Sequence, residues 1–123
     1  MRVRAARGAI VVADDTPSCV FEATERLLDS MLERNGVQED DLISVLFTAT
    51  DDLVSAFPAE AARRMGLGSV PLMCAREIPV AGSMPRVVRV LMHFHSELAI
   101  SAVQPVYLDG AESLRDDLDD RDD

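Results

Sequence analysis

Two hydrophobic periods share this chain. From Val20 through Ala23, Leu27, Leu28, Met31 and Leu32 the apolar positions return every three or four residues. Glu22, Glu25, Arg26, Asp29 and Arg34 lie mostly elsewhere on the wheel, so the segment predicts one long amphipathic helix. Thr16-Pro17 marks its start, an N-cap followed by proline at the first helical position, and Asn35-Gly36 marks its end. Elsewhere the period is two. Residues 2–12 predict a strand with Arg2 and Arg4 on one face and Val3, Ala5, Arg7 and Ala9 on the other, which puts Arg7 on the more apolar side. Arg86–His95 is the clearest strand, its Val88, Val90, Met92 and Phe94 lining one face.

Three further strands are expected. Leu42–Thr50 has the continuous apolar character of a buried strand, Val70–Ile78 carries a Pro71 suited to an edge or an irregular start, and Val103–Leu108 closes the set. A short helix runs from Pro58 through Ala61, Ala62 and Met65 to Gly66. Turns are expected at Gln38–Asp41, from Asp51-Asp52 as one helical turn, at Gly82-Ser83, within Ser96–Ala102 and at Gly110–Leu114. The sum is an α+β domain with five strands and one major helix. Residues 1–115 form that domain, and 116–123, where Leu118 is the one large apolar residue, are expected to be an acidic, disordered tail.

Composition narrows what such a domain can do. At 123 residues there is room for a single core, and with aromatics at 4% that core must be built from Val, Leu, Ile, Ala and Met. The net charge of −10 argues against nucleic acid as a partner, since phosphate binding needs a basic footprint. Half of it comes from the tail, where six aspartates face only Arg121. All twelve basic residues are arginine, which is either compositional bias or a preference for planar, bidentate recognition of carboxylates. Neither a signal peptide nor a membrane span is expected, and two distant cysteines without metal spacing suit a reducing cytoplasm.

Candidate chemistry is sparse. Arg89 interrupts Val87-Val88-Arg89-Val90-Leu91, and a guanidinium among branched apolar neighbours requires an anionic partner. That partner is either an internal carboxylate such as Glu77 or a bound anionic ligand. Glu77 itself closes a predicted strand, where an ordinary pair with Arg76 is the simpler reading. Cys74 reads as a small buried hydrophobe, Tyr107 as a core residue with one bonded hydroxyl, and Arg63 and Arg64 as a solvated helix face. His93 and His95 share one strand face, but no third or fourth ligand accompanies them, so no metal is expected. Hydrolase, nucleotide-binding and dinucleotide motifs are absent. An arginine-rich site of this kind binds an anion, and does chemistry only where electrostatics suffice.

Five blocks in register carry a resemblance. Arg4-Ala5-Ala6-Arg7-Gly8-Ala9, then Thr48-Ala49-Thr50-Asp51-Asp52-Leu53 with Phe57-Pro58-Ala59 and Ala62-Arg63, then Val70-Pro71-Leu72-Met73-Cys74-Ala75-Arg76-Glu77, Arg86-Val87-Val88-Arg89-Val90-Leu91-Met92, and Val106-Tyr107-Leu108 before Leu114-Arg115 resemble the monofunctional, trimeric chorismate mutases. The resemblance implies a five-stranded mixed sheet packed on one long helix, trimerising into a pseudo-α/β barrel with sites at the subunit interfaces. It also implies a cofactor-free Claisen rearrangement of chorismate to prephenate in aromatic amino acid biosynthesis. Arg89, Glu77 and Arg7 then carry the chemistry. Tyr107, Cys74, Met73, Ala75, Arg76, Phe57, Ala59, Arg63, Leu72, Leu114 and Arg115 bind substrate, with Phe57, Ala59, Arg63, Leu72, Met73 and Cys74 coming from the neighbouring subunit. Glu60 departs from a lysine and Met73 from a small polar residue found in some members, which weakens attraction of a dianion and removes one contact. The alternatives are a non-catalytic anion-binding or regulatory trimer of the same architecture and, without supporting motifs, a trimeric imine or enamine deaminase.

Overall fold

The computed structural model describes residues 1–115. The elements are β1 (Arg2–Val11), α1 (Pro17–Arg34), β2 (Leu42–Ala49), α2 (Pro58–Arg64), β3 (Leu72–Arg76), β4 (Val87–Ser96) and β5 (Val106–Leu108), with 3-10 turns at Glu39–Asp41, Ile100–Ala102 and Ala111–Arg115. The five strands form one sheet in the order β3-β2-β4-β1-β5. β4 runs antiparallel to β1 and β2, while β3 is parallel to β2 and β5 parallel to β1, so the sheet is mixed.

α1 covers one face of this sheet. The Thr16 hydroxyl accepts from the Cys19 amide at 3.2 Å, Pro17 occupies the first turn, and Gly36 takes the left-handed φ of 62° beyond the C-cap. Its Val20, Ala23, Leu27, Leu28 and Met31 bury against Ala6, Ile10, Val45, Phe47, Val88, Val90, Met92, Phe94 and Val106. Helix and sheet approach closely at Gly8, where an added Cβ would lie 2.5 Å from Met31 Sδ. Asn35 ties the helix end to the approach to β5, donating to Gln104 O at 3.0 Å and accepting from Gln104 N at 2.7 Å.

Several sequence-based expectations are corrected. The core face of β1 holds Ala6, Gly8 and Ile10, in step with Arg2 and Arg4, so Arg7 lies on the opposite, solvent-exposed face. The close approach of Gly8 to α1, with Ala6 and Ile10 in the core on either side of it, decides which parity faces the helix. β2 is buried on one side only: Val45 and Phe47 are covered, whereas Ser44, Leu46 and Thr48 are half-buried. β3 runs only from Leu72 to Arg76; Pro71 before it has no N–H to donate, although its carbonyl still accepts from Val45 N at 3.0 Å. Arg86 stands outside β4 with a left-handed φ of 52°. Asp51-Asp52 form a tight turn and not a helix, with Leu53 N donating to Thr50 O at 3.0 Å. The tail expectation at 116–123 lies outside the described residues.

Candidate active site

Sheet register assembles the candidate residues before any side-chain contact is considered. Thr48 pairs with both Ala75 and Arg89, and Ala9 pairs with both Arg89 and Tyr107. Ala75, Thr48, Arg89, Ala9 and Tyr107 therefore form a single row across all five strands, on the face away from α1. Arg7 stands on the same face two residues from Ala9, opposite Leu91. Beside the row lies a second small apolar cluster of Ala9, Val87 and Ala111 with Val11, Met84, Tyr107 and Leu114. Leu114 and the exposed Arg115 thus border the row from the final 3-10 turn.

Arg89 and Glu77 meet. Glu77 follows β3, its amide donating to Ala49 O at 2.9 Å, and its Oε1 lies 2.7 Å from Arg89 Nε. Its other oxygen accepts from the Thr48 hydroxyl at 3.5 Å. The contact with Arg89 is an ion pair and not an aligned hydrogen bond: Nε is buried against the carboxylate and has no aligned acceptor among the described residues. The arginine side chain retains 43% of its exposure, so its outer nitrogens reach solvent. A guanidinium held at Nε by a carboxylate, with its outer nitrogens open to solvent, can offer those outer donors to a ligand oxygen. Thr48 is a contact that residue type alone did not single out, although it opens the Thr48–Leu53 block of the family resemblance.

A cleft of about 340 Å³ opens where β2 and β3 end, beneath the loop that leads into α2. Phe57, Cys74, Ala75 and Arg76 line it. Phe57 is 72% exposed and Met73 62% exposed, both without a covering partner among the described residues. Leu72 and Cys74 face the opposite way from the row and pack half-buried against the main core. Ala59 is almost wholly buried there. Arg63 is exposed on α2 and pairs with Glu60 at 3.0 Å, and Arg76 donates to Asp51 O at 3.0 Å. The chain therefore brings Arg89, Glu77, Arg7, Tyr107, Ala75, Leu114 and Arg115 to one face, and leaves Phe57, Arg63, Leu72 and Cys74 about the β3 edge. β3 and β5 are opposite edges of the sheet, about 19 Å apart over four strand spacings.

The cleft loop is pinned from outside. The Asp15 carboxylate accepts from Val54 N at 3.1 Å and from Ser55 N at 3.0 Å. The nearby Ser55 hydroxyl and the Val54 amide hold this carboxyl below its ordinary range. That hydroxyl is buried and poorly aligned, so the two amides carry the geometry. His93 Nδ1 lies 3.2 Å from Ser44 Oγ on the open face, with His95 exposed two residues on.

Comparison with known proteins identifies relatives along nearly the whole chain. A family model described as chorismate mutase type I matches residues 3–118. Chorismate mutase AroH of Thermus thermophilus is 52% identical over 118 residues, which span 95% of this chain and 97% of that protein. Chorismate mutase AroH of Bacillus subtilis (strain 168) is 34% identical over 119 residues, 96% of this chain and 94% of that one. A solved chorismate mutase from Clostridium thermocellum superposes with a TM-score of 0.87 at 47% identity, covering 89% of this chain and 97% of that chain.

Proposed function

The chain belongs to the type I chorismate mutase family, and from that premise we propose that it rearranges chorismate to prephenate at the Arg89–Glu77 pair. The observation that carries the reading is the Arg89 guanidinium, held at Nε 2.7 Å from the Glu77 carboxylate while its outer nitrogens stay open to solvent. The reaction is pericyclic, with neither proton transfer nor a covalent intermediate. An enzyme can accelerate it by selecting the compact reactive conformer and by meeting the negative charge that develops on the ether oxygen. Arg89 donates to that oxygen, and Arg7 holds a substrate carboxylate. Glu77 accepts from the ring hydroxyl while its charge balances the arginines, and Tyr107 helps to position the side-chain carboxylate. Cys74 lines the pocket and attacks nothing.

A homotrimer completes the site in this reading. A single small substrate does not span the distance between the β1/β5 edge and the β3 edge. Apposition of one subunit's Phe57, Arg63, Met73 and Cys74 to the next subunit's Arg7 and Tyr107 joins the two halves. The uncovered sheet face and the bare apolar groups Met73 and Phe57 support such a contact. Glu60, which occupies Arg63, weakens capture of a dianion at the mouth. No described helix is long and apolar enough to cross a membrane. The two free cysteines fit a cytoplasmic enzyme of aromatic amino acid biosynthesis. The test is a turnover assay: purified protein in metal-free buffer with chelator consumes chorismate and forms prephenate. Chorismate left unchanged refutes the assignment.

A further inference from the structure

The block Thr48–Leu53 belongs to the family resemblance, yet the Thr50 and Asp52 side chains have no part in the site described above. In the fold it occupies the point where β2 ends beside the start of β4 and the end of β1. There Arg86 adopts a left-handed φ of 52°, unfavourable for a residue with a Cβ, just before the strand that carries Arg89. The Asp52 carboxylate accepts the Arg86 amide with both oxygens, at 3.1 and 3.0 Å. The Thr50 hydroxyl donates to Asp52 at 2.5 Å and accepts from Val87 N at 3.0 Å. Arg86 is further tied to β1, its carbonyl accepting from Val12 N at 2.7 Å and its Nε donating to Val12 O at 2.9 Å. The same segment holds the other half of the pair, since Ala49 O accepts the Glu77 amide at 2.9 Å.

Where β4 begins decides which face each of its side chains occupies, because a slip of one residue sends them all to the other side. We propose that Asp52, acting through Thr50 and the left-handed Arg86, is a positioning residue that sets the Arg89 guanidinium against Glu77. It governs turnover without touching substrate. The inference rests on the Arg89–Glu77 pair being the reacting site. Asp52 is exposed, so Asp52→Ala opens no cavity and the variant is expected to fold.

The test compares Asp52→Ala, Arg86→Gly and the double variant for kcat, KM and the NMR resonance of the Arg89 Nε–H group. A small displacement of a reacting group costs up to about a hundredfold. Asp52→Ala is therefore expected to lower kcat at least about tenfold, with KM within about twofold, and to shift the Arg89 resonance. Glycine adopts the left-handed conformation unaided, so Arg86→Gly in the Asp52→Ala background is expected to restore most of kcat and the original resonance. A wild-type kcat in Asp52→Ala, or a loss that Arg86→Gly does not relieve, overturns the proposal. A wild-type chain inert toward chorismate sinks the assigned reaction instead, and the Arg89 resonance then decides the positioning role by itself.

Discussion

On β4, Val88, Val90, Met92 and Phe94 turn toward α1 and lose almost all contact with solvent, whereas Arg89, Leu91 and His93 turn the other way and stay half-exposed. One strand thus serves two regions with different demands. The helix-side face excludes water, and its stability comes from close packing of apolar groups. The open face keeps polar groups in a fixed row across the sheet, where rigid strands hold them in place while solvent, ligand or another subunit can still reach them. Chemistry is found on the face that packing has left free, borne by a framework that packing has made stiff.

The largest expected effect separates stability from activity. Phe94→Ala removes a fully buried ring, and a loss of about 3–5 kcal/mol in unfolding free energy is expected by chemical denaturation. Arg89→Lys should do the reverse. It keeps the charge and loses the planar fork, so kcat is expected to fall by about 10²–10³ with a thermal midpoint near that of the wild type and little change in prephenate binding. If Arg89→Lys unfolds the protein, or turns over normally, the division between the two faces breaks down. The smallest effect concerns the rim, where Asp15 pins the cleft loop. A carboxyl held below its ordinary value contributes its bonds fully above the unfolded pKa of about 3.9, and loses them as pH falls through the lower folded value. The Val54 and Ser55 amide resonances should therefore shift together below about pH 4, and Asp15→Asn should abolish that titration. A wild-type loop whose amides ignore this pH range would detach the rim from Asp15.

Much of the helix-side region was legible from residue order. The 3.6-residue repeat of α1, its Thr16-Pro17 entry and the alternation along β4 are local signals, and each dictates burial through its own period. Arg7 shows where such reasoning ends. Its strand parity was readable, but which parity faces the core depends on Gly8 and Ile10 meeting α1, a contact distant in sequence. Arg86 shows the same from the other side, since nothing in Pro85-Arg86-Val87 announces a left-handed residue stabilised by Asp52.

By itself the sequence determined the element types, the apolar stripe of the helix, the requirement that Arg89 find an anion and the family blocks in register. Only the tertiary structure decided that the anion within the chain is Glu77, that Thr48 bridges to it, and that Ala75, Arg89 and Tyr107 fall on one line across the sheet. The physical reason is that periodicity encodes which way a side chain points relative to its own backbone, whereas an ion pair or a row across strands depends on register between segments 12 to 98 residues apart.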